Sequence, residues 1–364
     1  MNKNYTVYIY RSLFSDEPLD QMETIKSIEI EENLENFSSA KIMVNYYNDP
    51  SFWLNTKHLR EFRRLKLIEE DGVSQKTIFD GVIFSLIPTF EGIQINLRDY
   101  RWFLEDKRYL EVQKVYTSQS STSILTDLIQ NLNAKTQSDP HPESWTFIQD
   151  ENVGGISRTF ERGASFFSVF SEIALAMGKS WYIHENWVIE FKDVTGEDKT
   201  QGENFTELLF NGFEMAESNI AIPEVNFQGT IENSIIPQSG SKQNNQESIE
   251  DYIRLEGYQI LEGSELQNYL TKSSSPQVIY SLDVNFAQLD TPLTIGDKVA
   301  IRIQTGIIHL DIEGEVFIIS KKSEIQGNEI QIIRVEVSEV VINPDSFVNK
   351  LKDIQKEIRD LKIR

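Results

Sequence analysis

Leu65-Lys-Leu-Ile68, Asp71-Gly72, Ile78-Phe-Asp-Gly-Val-Ile-Phe84, Glu91-Gly92 and Ile93-Gln-Ile-Asn-Leu97 follow one another near the start of the chain. Apolar residues alternate with polar ones, and a Gly stands at each break. That pattern predicts antiparallel strands joined by hairpins. A similar series recurs near the other end: Val299-Ala-Ile-Arg-Ile303, Thr305-Gly306, Ile312-Glu-Gly-Glu-Val-Phe-Ile318, Gly327-Asn328 and Ile330-Gln-Ile-Ile-Arg-Val335. The Gly positions 72, 81 and 92 are echoed by 306, 314 and 327. Self-similarity of this kind points to two copies of one β module. Three such chains would supply six modules, enough for a ring.

The chain has 364 residues, no Cys and a formal charge of −22. Its length allows several domains, each with a real core. An acidic balance argues against a protein that holds nucleic acid by neutralising phosphates. The lack of Cys excludes disulfide and thiolate chemistry. Met1 leads directly into the strand-like Tyr5-Thr-Val-Tyr-Ile-Tyr10 without an apolar leader. No apolar run is long enough to span a bilayer.

Residues 1–103 read as a β module. Arg60-Glu-Phe-Arg-Arg-Leu-Lys66 is its one dense basic patch. It reads as a solvated strand edge, where charge discourages stray pairing, rather than an anion site. Residues 104–200 read as an α+β domain. Apolar positions 124, 125, 128, 129 and 132 predict one helix, and 166, 167, 170, 173, 174 and 177 predict a second that stops at Gly178. Trp181-Tyr-Ile183 and Trp187-Val-Ile-Glu-Phe191 then form a hairpin. Residues 194–204 read as a linker. The second β module is expected over 201–225 and 277–342, interrupted at 226–276 by an insertion. That insertion contains the polar stretch Gln238 to Glu247, read as a mobile loop. From 343 to 364 a terminal helix carries Phe347, Leu351, Ile354, Ile358 and Leu361 at coiled-coil spacing, which reads as an oligomerisation seam ahead of the alternative, a helix docked on its own domain.

Catalytic motifs are absent. Met177-Gly-Lys-Ser180 lacks the first Gly of a phosphate loop, and its Lys follows a helix instead of opening one. His58, His141, His184 and His309 are scattered and have no second ligand at metal spacing. The acidic clusters fall in turns and at strand ends, where they solvate the surface. No cofactor, metal or catalytic residue is expected, so the reading is of a protein that is not an enzyme.

Three motifs in order resemble phage tail hub and tail-tip proteins: Lys76-Thr-Ile-Phe-Asp-Gly-Val-Ile83 with Ile93-Gln-Ile-Asn-Leu-Arg-Asp-Tyr100 and Trp102-Phe-Leu104; Thr159-Phe-Glu-Arg-Gly-Ala-Ser-Phe-Phe-Ser-Val-Phe170; and Leu293-Thr-Ile-Gly-Asp-Lys-Val299. These are the baseplate hubs of contractile tails and the N-terminal hub region of tail-associated lysin proteins of long-tailed phages. The resemblance runs from about residue 1 to 342. It implies a mostly β, α+β fold with two tube-like antiparallel β-barrel modules. It also implies a homotrimeric, pseudo-sixfold ring at the distal end of a virion tail, adapting a sixfold tube to a threefold tip. The implied partners are a distal tail or tail tube protein, a tape measure protein, and tip fibre or receptor-binding proteins. DNA would pass without specific binding. Two alternatives stand beside this reading: the hub of a phage-derived injection machine, and a carbohydrate-binding or carbohydrate-cleaving β protein. Wall-degrading domains of some relatives have no counterpart in this sequence.

Overall fold

The computed structural model describes residues 4–11, 13, 15, 17–22, 25–34, 37–45, 58–70, 74–89, 92–137, 142–184, 187–192, 196–214, 218–228, 234–237, 241–246, 256–259, 266–267, 270, 277–284, 292–305, 312–326 and 329–338. The expected seam at Phe347, Leu351, Ile354, Ile358 and Leu361 lies outside them. The strands in chain order are β1 (Asn4–Tyr10), β2 (Pro18–Met22), β3 (Ile25–Asn33), β4 (Ser39–Asn45), β5 (Arg64–Glu70), β6 (Gln75–Pro88), β7 (Gly92–Arg98), β8 (Lys114–Gln119), β9 (Thr146–Gln149), β10 (Ile156–Phe160), β11 (Ser180–His184), β12 (Val188–Lys192), β13 (Glu207–Asn211), β14 (Ile220–Gln228), β15 (Ser234–Pro237), β16 (Gln243–Asn244), β17 (Glu256–Gln259), β18 (Gln277–Val284), β19 (Lys298–Gln304), β20 (Ile312–Gln326) and β21 (Glu329–Ser338). The helices are α1 (Tyr100–Asp106), α2 (Ser121–Ala134) and α3 (Phe166–Met177). The fold is therefore mostly β with an α+β part, as the sequence implies. The chain forms two compact units, Met1–Thr195 with Ser320–Arg334, and Gly196–Ile319 with Val335–Arg364.

In the first unit, strands run in the order β3-β4-β7-β6-β5-β1-β2, every pair antiparallel. Residues Ser320 to Glu324 of β20 add to the free side of β3. Period-two alternation puts one set of side chains on a common face. Val7, Ile9, Met22, Ile28, Ile30, Ile42, Val44, Leu65, Leu67, Ile83, Ile95 and Leu97 form one buried cluster. Met22 and Ile28 belong to opposite ends of the strand order, so the sheet curls over to enclose that core as a barrel does. Ile325 and Ile330 pack against it, and the Ile330 N–H donates to the Tyr5 hydroxyl at 3.1 Å.

The α+β part of this unit follows from local signals. Ser120 and Ser165 cap α2 and α3 by accepting from the backbone N–H three residues on. Gly178 ends α3 in the left-handed conformation at φ 72°. Strands β11 and β12 form the expected antiparallel hairpin, and β9 joins β12 in parallel. Phe166, Phe170, Ile173, Trp145 and Phe191 are fully buried in the core between helices and strands. Trp102, Phe103 and Leu104 of α1 belong to the same core, so the boundary read at residue 103 falls inside a helix.

In the second unit, β14 pairs β18 antiparallel, β19 pairs β20 antiparallel, and β13 pairs β19 in parallel. Leu208, Ile220, Leu282, Val299, Ile301, Ile303, Val316, Ile318, Val335 and Val337 are buried. The turn from β13 to β14 is held by side chains. Asn219 accepts from the Leu209 N–H at 2.8 Å and donates through Nδ2 to the Glu207 carbonyl at 2.7 Å. Its own N–H donates to the Leu209 carbonyl at 3.0 Å. Between β14 and β18 the chain forms a small sheet in the order β16-β15-β17. Strand β16 lies within the stretch read as a mobile loop. It pairs antiparallel with Ser234 and Ile235, and Ser234 Oγ donates to Asn244 Oδ1 at 2.7 Å.

The two sequence echoes are both three-stranded meanders, β5-β6-β7 and β19-β20-β21. Each has a seven-residue first strand and a long middle strand, 14 residues in β6 and 15 in β20. Gly81 lies opposite buried Leu65, and Gly314 opposite buried Ile301. The likeness between the two stretches is therefore one of architecture as well as pattern.

Candidate functional site

The motif residues Asp80, Asp99 and Tyr100 converge on one cleft of about 250 Å³ in the first unit, together with Glu32, Arg101, Tyr182 and His184. Strand β6 supplies Asp80, and α1 supplies Tyr100 and Arg101. Across the β5–β6 ladder, Arg64 reaches Asp80 with two donors, Nε to Oδ1 at 2.9 Å and Nη2 to Oδ2. The Tyr100 hydroxyl donates to the same carboxylate. The Arg64 guanidinium also lies 4.7 Å from the Tyr10 ring centroid and 5.0 Å from that of Trp187. Burial pushes the Tyr100 hydroxyl well above its ordinary range, and the Asp80 charge adds to the effect. Burial alone would lower Arg64, but the Asp80 bonds outweigh it and hold the guanidinium above its ordinary value.

The sequence places Arg64 in a stretch expected to be a solvated edge. In the structure it is a buried, bidentate ion pair. Register explains the difference: Lys66 lies opposite Asp80, and the Arg64 fork reaches the same carboxylate from two residues away.

Asp99 builds the second half of the cleft. Its Oδ1 accepts from the N–H groups of Arg101 and Trp102 and caps α1. Its Oδ2 accepts from Ser38 N–H at 2.8 Å and from Arg101 Nε at 2.9 Å. Arg101 is 2% exposed. It also donates to the carbonyls of Leu34 at 2.7 Å and Asn33 at 2.6 Å. One guanidinium thereby ties the β3–β4 connection to α1. Burial lifts the Tyr182 hydroxyl to about 12, against the lowering pull of Arg101.

The three acids of this cleft each hold a cation: Glu32 with Lys321, Asp80 with Arg64, and Asp99 with Arg101. His184 pairs with Glu190. These are arrangements for joining elements. Among the described residues no group of three or more His, Asp or Glu is arranged to hold a metal.

The third motif makes an equivalent joint in the second unit. Asp297 is fully buried. It accepts from Lys199 Nζ at 2.6 Å, from Thr294 N–H at 2.7 Å and from Glu197 N–H at 2.9 Å. Gly296 turns the chain at φ 84°. Gly196 is required by space, because a Cβ there would stand 2.1 Å from Asp297 N. The stretch read as a linker from 194 is thus pinned into the core from Gly196 to Lys199. The sequence marks Asp297 through its Ile-Gly-Asp turn, but nothing in it marks Lys199 as its partner.

A two-unit β protein with paired long-stranded meanders and an inserted α+β part defines a fold class. Solved phage tail proteins share that fold. The chain is similar to the tail protein from Neisseria meningitidis MC58, at 10% identity and TM-score 0.63, over 95% of this chain and 99% of that one. It is similar to prophage tail protein gp18 from Listeria monocytogenes EGD-e, at 12% identity and TM-score 0.59, over 97% and 99%. It is similar to the 43 kDa tail protein of prophage MuSo2 from Shewanella oneidensis, at 12% identity and TM-score 0.61, over 94% and 99%. No protein-family model and no curated protein matches the sequence. The resemblance read from the motifs is met at the level of the fold.

Proposed function

We propose that this chain is a structural protein of a phage tail, a homotrimeric hub at the distal end that forms part of the DNA conduit. The observation that carries the reading is the end-to-end fold likeness to prophage tail proteins, over 94% or more of this chain and 99% of each of theirs. The two meanders support it, because three chains with two copies each make a pseudo-sixfold set that fits a sixfold tube. The buried ion pairs support a mechanical role. Asp80, Asp99 and Asp297, acids of the first and third motifs, are used for joints, and catalysis has no part in the proposal.

The acidic charge supports the conduit reading. Three chains carry 3 × −22 = −66 formal charges. Acid facing the bore would repel phosphates and let DNA move without sticking. The partners in this reading are a distal tail or tail tube protein above, a tape measure protein in the bore, and tip fibre or receptor-binding proteins below. Phe347, Leu351, Ile354, Ile358 and Leu361 form a terminal seam that helps hold the trimer.

The test is light-scattering mass and negative-stain imaging of the purified protein. A trimeric mass and a threefold ring are expected. A monomer at high concentration, or an assembly without threefold symmetry, defeats the proposal. Leu351→Asp with Ile358→Asp should weaken the trimer, and an unchanged mass and stability would show the seam to be dispensable.

A further inference from the structure

Among the described residues, a cluster of arginines has no acid paired to it, although Glu61 stands beside Arg60 in the sequence. The loop before β5 carries Arg60 and Arg63, and Arg11 follows β1. The β1–β5 register pairs Ile9 with Leu65. Continuing it by two residues sets Arg11 opposite Arg63. Arg11 and Arg60 are exposed, and Arg63 is half-buried. The guanidinium of Arg63 has one bond, from Nη1 to the His58 carbonyl at 2.6 Å. Among the described residues no carboxylate pairs with Arg11, Arg60 or Arg63, although 57 acidic residues are present in the chain. Burial, then the charges of Arg60 and Arg11, hold Arg63 below the ordinary arginine range.

Two backbone hydrogen bonds tie the loop to β6. Phe62 N–H donates to the Ile83 carbonyl at 2.7 Å, and Ile83 N–H returns to the Arg63 carbonyl at 2.9 Å. Phe62 adopts φ 64°, a left-handed conformation that a bulky side chain rarely takes. Its ring is 44% exposed and stacks on Trp102 at 6.1 Å. The ring is thus fixed against Trp102, with Lys107 Nζ 4.8 Å from its centroid, and remains partly exposed next to Arg63 in the chain. Exposed arginine and aromatic side chains in a fixed frame are the composition of a protein interface.

We propose that Arg11, Arg60 and Arg63, with the Phe62 ring, dock the carboxylates of a second copy of this chain. Charge complementarity selects that occupant. Copies carrying −22 each repel unless cations lie where they meet, and this is a cation cluster with free donors. The proposal rests on the trimer reading above and assigns it a contact surface.

The experiment measures self-association of the full chain by sedimentation at low and high salt. The wild type is compared with Arg11→Ser/Arg60→Ser/Arg63→Ser and with the single Arg60→Glu, whose exposed side chain leaves the fold intact. Circular dichroism checks folding. The triple variant should associate about tenfold or more weakly at low salt, with a flatter salt dependence, and Arg60→Glu should weaken association in the same direction. A wild-type trimer matched by both variants in constant and salt slope overturns the docking patch and leaves the trimer standing. A wild type that stays monomeric overturns both. Low-salt retention of duplex DNA by the wild type, lost in the triple variant, identifies phosphate as the ligand and also overturns the proposal.

Discussion

Replacing Asp80 with Ala removes the shared acceptor of Arg64 and Tyr100 while leaving both groups in place. The Arg64 and Asp80 side chains are 11% and 9% exposed, so solvent cannot readily take over the lost bonds. Removing one partner of a buried ion pair costs about 3–5 kcal/mol, because a charge is left uncompensated. In a unit of this size each kcal/mol lowers Tm by about 2–4 °C, so a fall of roughly 6–20 °C is expected. Scanning calorimetry at neutral pH, with urea unfolding as a second measure, reads it. The companion variant Arg64→Met/Asp80→Leu removes both charges. It should recover most of the loss, since apolar replacement of a whole buried pair is often close to neutral. A Tm drop under about 2 °C for Asp80→Ala would refute the claim that this carboxylate holds the joint. A double variant as unstable as the single one would refute the cause, showing that the unpaired charge is not the source of the loss.

Space gives a second expectation. Gly81→Ala puts a Cβ 2.4 Å from the Arg98 carbonyl oxygen and Gly196→Ala puts one 2.1 Å from Asp297 N, whereas Gly314 has open space around it. The first two should each cost about 1–3 kcal/mol or more in urea unfolding, and Gly314→Ala should cost far less. Asn219→Ala leaves the Leu209 N–H and the Glu207 carbonyl without their side-chain partner, a loss of about 1–3 kcal/mol, read by thermal melting of the chain. Burial alone would raise the Asp127 carboxyl, but donors from Tyr116, Lys114 and Asn131 together hold it below its ordinary range. A depressed carboxylate contributes stability above its unfolded pKa of about 3.9, and the contribution disappears as pH falls through the folded value. The gap in urea midpoint between wild type and Asp127→Asn should therefore narrow below about pH 4, and a constant gap would count against it.

The hairpins and the two longer helices were legible because their signals are local. A Gly at a break, a Ser before an apolar repeat and Gly178 after one each act within a few residues. Helix α1 was hidden because only one turn of it is apolar and its cap, Asp99, stands inside a motif read as strand. The parallel pairs β9–β12 and β13–β19 were hidden because alternation shows which side chains are buried, not which strand lies alongside. The joints were hidden for the same reason. Asp80 and Asp297 are visible as motif acids, but Arg64 and Lys199 become their partners only through register and through a contact 98 residues away in the chain.

Strand β3 waits for a partner that is made very late. Ser320 to Glu324 pair with Asn33 to Glu29, close to 290 residues earlier. At roughly 5–20 residues per second on the ribosome, the bare edge of β3 stands open for about 15–60 s. An open edge is an invitation to neighbouring nascent chains. Glu29, Glu31 and Glu32 guard it, because two such edges from sister chains repel one another. The strand that finally arrives carries Lys321 and Lys322, which pair with Glu32 and Glu29. The same charges that refuse a stranger admit the chain's own late segment, so the order of synthesis is written into the charge pattern of the edge.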